Sequence, residues 1–216
     1  MNDPATDLWS ERAQAYVASD AHSRGEDLDL LVEWAAGATT VLDVATGGGH
    51  VARRLREAGH EVVTVDPAPG MRPDVISRAE HLPFADGSFD VVACRTAAHH
   101  FDDPQAAVTE MARVAARSVL LVDTEFMGQE AEEAEKLRDP THVRNYSEPE
   151  WLAFVDAAGL EPADVRHFEH SFDVDAWLRR TGCEGDEARR VLELLGDRVS
   201  GGRLTLTKIA IKAIPA

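Results

Sequence analysis

An aspartate and three glycines stand where an apolar run gives way to a helical pattern. The segment VLDVATGGGH places Asp43 at the end of the run and the glycines at 47–49. The G-x-G-x-x-A spacing that starts at Gly47 matches the fingerprint of a dinucleotide-binding turn, where the backbone comes close to a ligand. Asp66 follows 19 residues after Gly47, where an acid that binds a ribose is expected. These residues predict a site for a nucleoside-containing cofactor.

The charge of Asp43 bears on which cofactor that is. A carboxylate four residues before the first glycine would repel a pyrophosphate and would suit an ammonium or sulfonium group. Asp66 serves either ligand, because a carboxylate accepts two hydrogen bonds from a ribose diol. Electrostatics therefore favours S-adenosylmethionine (SAM), and NAD(P) stays open as the alternative.

Two adjacent histidines follow a second apolar run. His99 and His100 lie in AAHHF, after a predicted strand, and open α/β sheets bind their ligands at the carboxyl ends of strands. Either could act as a general base, the commonest catalytic role of histidine. Neighbours in an extended segment point in opposite directions, so we expect one of them to face a pocket. The alternative is that one caps a loop and the other packs against the next helix.

The segment RDPTHVR is a candidate wall for a substrate. Its side chains include Arg138, His142 and Arg144, which could grip an anionic or phenolic acceptor. The alternative is a surface loop held by its own salt bridges. A metal site is not expected, because His167 and His170 lie at an odd offset in a predicted strand without ligands nearby.

Composition narrows the class of protein. The chain has 216 residues, 44% of them apolar, enough for one domain with a sizeable core. A net charge of −17 disfavours nucleic acid and anionic membranes as partners. Two cysteines 89 positions apart indicate a reducing compartment. With no signal peptide and no membrane span in the sequence, we expect a cytoplasmic protein.

The elements that position these residues alternate between strand and helix. Strands are predicted over 39–44, 61–66, 73–78, 88–95 and 118–125, and helices over 50–59, 103–117 and 147–159. This alternation predicts a doubly wound, mostly parallel α/β sheet. Residues 203–214 alternate with period two, which suits a partly exposed antiparallel edge strand. The acidic segment 128–139 is expected to be a solvated helix or a mobile loop.

Three segments together resemble a known family. VLDVATGGGHVARRL, VVTVDPAPGM and AEHLPFADGSFDVVACRTAAHHFDDP resemble the successive motifs of class I SAM-dependent methyltransferases. The nearest branch is methyltransferase type 11, similar to ubiquinone/menaquinone C-methyltransferases. The resemblance implies a Rossmann-like sheet of seven strands with an antiparallel last strand and a helical N-terminal lid. Its implied layout is one domain, with the lid at 1–37, a cofactor-binding half at 38–125 and a substrate-side half at 126–216.

The resemblance also implies roles for particular residues. Asp43 and the loop would hold the methionine end, Asp66 the ribose, and His100 would be preferred over His99 as the base. The implied cofactor residues are Tyr16, His22, Asp43, Ala45, Thr46, Gly47, Gly49, Asp66, Pro67, Met71, Ala79, Glu80, Arg95 and Ala97. The chain departs from the family in having Arg78 where an acid is usual, and in a shortened turn before the fifth strand.

The expected activity is methyl transfer from SAM to a small-molecule acceptor, by a monomer or homodimer. Two other functions stay open from the sequence. One is a SAM-binding enzyme that does not methylate, such as a cyclase. The other is an NAD(P)-dependent oxidoreductase, which Asp43 and the lack of a Tyr-x-x-x-Lys pair disfavour. The sequence leaves the acceptor atom (carbon, oxygen or nitrogen) undetermined.

Overall fold

A computed structural model describes residues 4–216, so the first three residues of the predicted lid lie outside the described residues. The helices are α1 (Pro4–Val17), α2 (Asp20–Ser23), α3 (Glu26–Trp34), α4 (His50–Glu57), α5 (Pro104–Val114), α6 (Gln129–Arg138), α7 (Glu148–Ala157), α8 (Val174–Thr181) and α9 (Gly185–Leu195). The strands are β1 (Thr40–Val44), β2 (Glu61–Asp66), β3 (Val75–Ile76), β4 (Phe89–Arg95), β5 (Ala115–Thr124), β6 (Leu160–Asp173), β7 (Val199–Ser200) and β8 (Arg203–Pro215). Short 3₁₀ turns span Pro69–Met71, Ala98–His100 and Gly196–Arg198.

The strands form one mixed sheet in the order β3-β2-β1-β4-β5-β8-β6, and β7 pairs with β8. From β3 to β5 all neighbours are parallel, and β8 runs antiparallel to both β5 and β6. The predicted doubly wound, mostly parallel sheet with an antiparallel last strand is therefore confirmed. β1 is buried almost along its whole length, as expected for a strand covered on both faces.

Helices cover both faces of the sheet. On one face, Met111 of α5 and Trp151 of α7 pack in a core cluster with Leu42. On the other face, Leu31 of α3 and Leu55 of α4 pack with Val41. A third cluster joins α6, α8 and α9 to the start of β8, outside these two layers. This third cluster forms part of the wall described below.

Several element boundaries differ from those predicted. The helix predicted over 103–117 ends at Val114, because Ala115 already pairs with Phe89 as the first residue of β5. The strand predicted over 73–78 is reduced to Val75–Ile76. Asp74, just before β3, instead binds β2. Its carboxylate accepts hydrogen bonds from the backbone and the side chain of Thr64 at 2.9 and 2.8 Å.

One prediction about the C-terminal half is wrong and another holds in part. β8 is an inner strand, because the long strand β6 covers it and takes the exposed edge. The acidic segment forms a helix, α6, which was one of the two predicted alternatives, but this helix buries Glu132, Glu135 and Arg138 instead of being solvated. These buried residues are charged, so hydrophobic periodicity could not reveal the buried face. No helix within residues 4–216 has both the length and the apolar character needed to cross a bilayer.

Candidate active site

A cavity of about 890 Å³ lies at the carboxyl ends of β1, β2 and β4. The strand order reverses beside β1, which is where open α/β sheets bind ligands. This first cavity is lined by Trp9, Tyr16, His22, Ala45, Thr46, Gly47, Gly48, His50, Val51, Asp66, Pro67, Met71, Arg78, Ala79, Glu80, Arg95, Thr96, Ala97, His100 and Phe101.

All but two of the predicted cofactor residues line this cavity. The exceptions are Asp43 and Gly49, which lie behind the loop. Gly49 has a φ of 73° and begins α4, a left-handed conformation that glycine adopts without a steric penalty. Its role is to turn the chain, and Gly47, with a φ of 50°, forms the wall.

Asp43 is buried with 1% of its surface exposed. Its Oδ2 accepts hydrogen bonds from the Thr46 hydroxyl at 2.6 Å and from the backbone N–H of Ala52 at 3.1 Å. Burial raises the pKa of Asp43 to about 7, against the opposing effect of these hydrogen bonds. The carboxylate therefore holds the loop to the helix without forming the wall itself.

Asp66 fixes the other side of the loop. One carboxylate oxygen accepts a hydrogen bond from the backbone of Gly47 and the other from that of Ala68, each at 2.9 Å. Burial raises the pKa of Asp66 despite these bonds. Each oxygen keeps a second lone pair, and Asp66 lines the first cavity, so it retains the capacity to accept hydrogen bonds from a ligand.

Backbone strain is concentrated at the two strand ends that border this cavity. Ala45 and Thr96 directly follow β1 and β4, and each has a φ of 55°, which side chains with a Cβ rarely adopt. Both residues line the first cavity. Strain of this kind is typical of ligand-binding sites, where the surrounding structure enforces it.

One lining residue of the first cavity, Glu80, has a buried acceptor atom without a partner. Glu80 approaches Arg78 through Oε2 at 3.5 Å, and its Oε1 is buried without a hydrogen-bond partner in the structure. A buried acceptor without a partner is unfavourable unless a ligand satisfies it. Arg78, where the family usually has an acid, lines the cavity beside it.

Arg95 contributes to the first cavity, but its guanidinium is already engaged. Nε and Nη2 donate to Asp27 at 2.8 and 3.1 Å, and Nη1 donates to the carbonyl of His22 at 2.8 Å. Lys208 Nζ also donates to Asp27, at 2.9 Å, and to the Thr96 hydroxyl at 3.0 Å. The predicted contact of Arg95 with the cofactor is therefore restricted to the parts of the residue outside the guanidinium.

The N-terminal helices close one side of this cavity. Trp9 and Tyr16 of α1 and His22 of α2 line it, which agrees with the predicted lid. α1 packs closely on the loops below, because a Cβ added to Gly48 would lie 2.8 Å from the carbonyl oxygen of Tyr16. The Trp9 indole also donates to the Thr141 hydroxyl at 3.1 Å, which ties the lid to the substrate-side half.

A second cavity of about 560 Å³ adjoins the first. The two cavities share Tyr16, His22, Thr96 and His100 as wall residues. The remaining lining residues of the second cavity are His99, Thr124, Glu135, Arg138, His142, Asn145, His170, Phe172, Trp177, Arg180, Leu206 and Lys208. A ligand in one cavity is therefore separated from a ligand in the other by a few side chains only.

Both predicted histidines line the second cavity, because residues 98–100 form a 3₁₀ turn and not an extended segment. The prediction that only one of them faces a pocket is therefore wrong. His99 Nδ1 lies 2.6 Å from Asp123 Oδ1, and its backbone N–H donates to Oδ2 at 3.0 Å. Since a carboxylate only accepts, Nδ1 carries the proton and Nε2 keeps its lone pair.

The two histidines differ in basicity. Burial alone would lower the pKa of His99, but the charge and hydrogen bond of Asp123 outweigh it and the pKa is raised. His100 Nδ1 instead meets the carbonyl of Thr141 at 2.9 Å, and burial next to His99 holds its pKa well below the usual range. His99 is therefore the stronger base of the pair.

The predicted substrate residues do not all lie at one site in the structure. Arg138 and His142 line the second cavity, and His142 Nε2 lies 2.7 Å from Glu132. Arg144 lines neither cavity and pairs with Glu150 at 2.6 Å, as in the surface-loop alternative. Within residues 4–216, no cluster of three or more His, Cys, Asp or Glu side chains could hold a metal ion.

Sequence reasoning did not select Trp9, Asp123 or Arg180 as site residues. Trp9 belongs to none of the recognised motifs, yet it lines the first cavity. Asp123 follows the apolar core of β5, the same signal that marked Asp43 in β1, and could have been found on that basis. Arg180 lies in a helix with no motif of its own, so only the fold brings it to the second cavity.

Comparison with known proteins agrees with this geometry. A family model described as "Methyltransferase domain" matches residues 42–122, which contain the loop, Asp66 and the histidine turn. The uncharacterized methyltransferase YcgJ of Bacillus subtilis is 32% identical over 208 residues, covering 85% of this chain and 82% of that protein. The crystal structure of YcgJ superposes with a TM-score of 0.78 at 29% identity, covering 88% of this chain and 97% of that one.

A demethylmenaquinone methyltransferase of Renibacterium salmoninarum is 35% identical over 140 residues. That match covers 57% of this chain and 59% of the enzyme. The likeness to YcgJ spans most of both chains. By sequence and by fold, this chain belongs to the SAM-dependent methyltransferase family.

Proposed function

We propose that the chain binds SAM in the first cavity and transfers its methyl group to a small-molecule acceptor in the second. The observation that carries this proposal is the shared wall of Tyr16, His22, Thr96 and His100. Methyl transfer is an in-line displacement, so donor and acceptor must approach each other directly in a site that excludes bulk water. Two adjoining cavities under one lid meet this requirement.

The charges around the first cavity fit SAM better than a dinucleotide. Burial raises the pKa of both Asp43 and Asp66, so the ionised form of each is unfavourable there. A ligand that carries an ammonium and a sulfonium group would stabilise both carboxylates, whereas a pyrophosphate would repel them. The orphaned Oε1 of Glu80 would accept a hydrogen bond from the nucleoside.

When bound, SAM supplies an electrophilic methyl group on a positively charged sulfur. The protein's part is to position the acceptor and, where the acceptor must lose a proton, to remove it. His99 is suited to that role, because Asp123 orients its ring and leaves Nε2 unprotonated. The pair of His142 and Glu132 holds the neighbouring loop, since Glu132 also accepts from the backbone of Asn145 at 3.1 Å.

A small molecule is the acceptor class that the second cavity favours. Side chains of the N-terminal helices, α6 and α8 border it, and the protein's net charge of −17 disfavours nucleic acid. Both cavities are lined by residues of a single chain, so the proposal requires no second subunit. A monomer or a homodimer would serve equally.

Calorimetry with SAM, S-adenosylhomocysteine (SAH) and NAD tests the cofactor. We expect SAM and SAH to bind and NAD not to bind. Binding of NAD without SAM would overturn the proposal in favour of an oxidoreductase. A screen of small metabolites for SAH release then tests methyl transfer, and a product formed from bound SAM without SAH release would point to a non-methylating enzyme.

Two variants test the base. We expect His99→Ala to lower turnover by about 10²–10⁴-fold, the usual contribution of a general base, with SAM affinity unchanged. His100→Ala should have a smaller effect on turnover, because its ring is the weaker base. Equal turnover of His99→Ala and the wild type would contradict the role of His99.

A further inference from the structure

One buried and one half-buried arginine stand in the wall of the second cavity. Arg138 lies at the end of α6 and Arg180 near the end of α8. The Arg138 side chain is only 6% exposed, and its guanidinium stacks on the Trp177 ring with 4.1 Å to the centroid. The proposed function assigns no role to these guanidinium groups.

Most of the hydrogen-bonding capacity of Arg138 is unused. Its Nε and Nη1 are buried without a hydrogen-bond partner, and Nη2 has one long contact of 3.4 Å with Asp139. Asp139 is mainly engaged elsewhere, since its Oδ1 accepts from Arg12 at 3.2 Å and from the Thr141 hydroxyl at 2.8 Å. The ion pair with Asp139 therefore leaves Arg138 largely unsatisfied.

Arg180 is in a similar position. Its Nε is also buried without a partner, and Nη1 donates to the Ser19 hydroxyl at 3.1 Å. Burial, and then the positive charge of Arg138, lowers the pKa of Arg180 to about 10. Two guanidinium groups that repel each other in a buried wall are unfavourable unless an anion lies with them.

The charges of the wall indicate the size of that anion's charge. The other charged side chains that line the second cavity are Glu135 and Lys208. Lys208 donates to Asp27 at 2.9 Å, and Glu135 is the carboxylate among the lining residues. An anion is favoured by the guanidinium groups, and the negative charge of Glu135 in the same wall would repel a dianion more than a monoanion.

We infer that the acceptor of the methyl group is a small molecule that carries a carboxylate, bound by the free N–H groups of Arg138 and Arg180. Guanidinium groups bind carboxylates through charge-assisted hydrogen bonds, and their weak hydration suits a buried site. The inference rests on the proposed function, because it assigns the acceptor class to the same second cavity. It also explains a locally cationic wall in a protein whose net charge is −17.

Matched acids and amides test the inference without knowledge of the natural acceptor. Benzoate, phenylacetate and hexanoate, each beside its primary amide, are titrated by calorimetry into the protein with and without saturating SAH. We expect at least one carboxylate to bind about tenfold tighter than its amide, as a charge-assisted contact implies. The inference is overturned if none does.

Arginine variants locate the binding site. Arg138→Met and Arg180→Met should each weaken the binding of that carboxylate by about tenfold, with SAH affinity unchanged. Arg179→Met is the control, because Arg179 lies in the same helix as Arg180 but is exposed, and it should match the wild type. Thermal unfolding checks each fold, and Arg180→Met decides if Arg138→Met does not fold.

Other outcomes separate the inference from the proposed function. A loss of SAH affinity in both arginine variants, equal to the loss for the carboxylate, would assign the arginines to the cofactor and overturn the inference alone. Tighter binding of phenyl phosphate than of benzoate would replace the carboxylate by a phosphate and overturn it too. If SAH itself does not bind the wild type, the proposed function fails, and the titrations without SAH still test the anion site.

Discussion

His99 and His100 show how one carboxylate changes the chemistry of a side chain. They share one 3₁₀ turn and their ring centroids are 4.2 Å apart, so both experience similar burial. Asp123 contacts only His99 of the pair, and the pKa of His99 is raised while that of His100 is lowered. The basicity of His99 therefore depends on its contact with Asp123 of β5 more than on its place in the sequence.

Replacing Asp123 by Asn should lower the pKa of His99. The carboxylate's charge raises the pKa of His99 against the effect of burial, and an amide would leave burial unopposed. NMR titration of the His99 ring measures this in the free protein. Because His99 must be neutral to accept a proton, turnover should rise with pH in the wild type through a midpoint above about 6.5, the ordinary histidine value.

The control for this prediction is Glu132→Gln, which removes the carboxylate of the other His–carboxylate pair. It should leave the titration of His99 within experimental error of the wild type, because Glu132 contacts His142 and the backbone of Asn145. An unchanged titration of His99 in Asp123→Asn would show that the contact does not govern its basicity.

Burial of the Asp43 carboxylate lowers the stability of the free protein, and in the proposed function a positively charged ligand offsets this cost. Its pKa rises from 3.8 to about 7 through burial, so between these values the folded state binds more protons than the unfolded state. The free energy of unfolding contributed by Asp43 therefore falls as pH rises across that window. A positive ligand near the loop would reverse this effect.

Replacing Asp43 by Asn should stabilise the free protein and weaken its binding of SAM. The amide oxygen still accepts from Thr46 and Ala52, and the buried charge is gone. At pH 8 we expect the free energy of unfolding to rise by roughly 4 kcal/mol at most, and near pH 4 by little. Urea unfolding at both pH values, with SAM calorimetry, measures this. A loss of stability that is equal at both pH values would contradict the assignment.

At the scale of elements, the lid is held by close backbone packing. α1 packs on the turn Pro69–Met71, and a Cβ added to Gly70 would lie 2.6 Å from the Cα of Ser10. That distance is shorter than real Cβ contacts, and backbone atoms cannot rotate away. Gly70 does not line either cavity, so it probes the lid without touching a ligand.

Gly70→Ala should displace α1 and weaken SAM binding by about tenfold, because Trp9 and Tyr16 would leave the wall of the first cavity. Calorimetry and limited proteolysis of the N-terminal segment measure the two effects. Ser10→Ala is the matched control, since it removes only the 3.2 Å hydrogen bond from the Gly70 backbone. Equal SAM affinity in Gly70→Ala and Ser10→Ala would mean that the packing of α1 does not support binding.

The elements that could be predicted are those whose sequence pattern is contained within a short stretch of the chain. β1, the loop and α4 follow one another within 20 residues, and hydrophobic pattern, glycine and helix periodicity all agree there. The helix predicted over 147–159 is observed as α7 for the same reason, and Ser147 and Glu150 form a capping box at its start. β6 was not placed as the edge strand, because EPADVRHFEH has few apolar residues and its order comes from pairing with β8.

The site was predictable to the same extent. The first cavity is built by residues of consecutive motifs, and nearly all of its predicted members line it. The second cavity joins β4, α6, α8 and β8, and contacts such as Arg138 on Trp177 depend on how distant segments pack. Polar residues buried on α6 have no hydrophobic period, so their burial could be learned only from the fold.

At the scale of the whole molecule, one cluster of charges joins the lid to the last strand. Asp27 of α3 meets Arg95 of β4 and Lys208 of β8, and all three side chains are less than 5% exposed. The cluster brings together residues up to 181 positions apart. It also supports both cavities, because Arg95 lines the first and Lys208 the second.

Asp27→Asn should destabilise the entire fold, because it leaves two buried cations without their anion. Burial alone would raise the pKa of Asp27, but Lys208 and Arg95 hold it well below its usual range. The stabilisation is therefore present above the ordinary carboxylate pKa of about 3.9 and is lost as pH falls below it. We expect a loss of about 3–5 kcal/mol at pH 7 by urea unfolding.

The matched control is Asp29→Asn in the same helix, where the partner Arg54 is on the surface and the expected change is under about 1 kcal/mol. Removing one cation as well, in Asp27→Asn with Lys208→Met, should recover part of the lost stability, because it relieves the repulsion between Lys208 and Arg95. If Asp27→Asn and Asp29→Asn unfold at the same urea concentration, the cluster does not join the lid to the sheet. Recovery in the double variant would instead show that burying Lys208 and Arg95 together is unfavourable without Asp27.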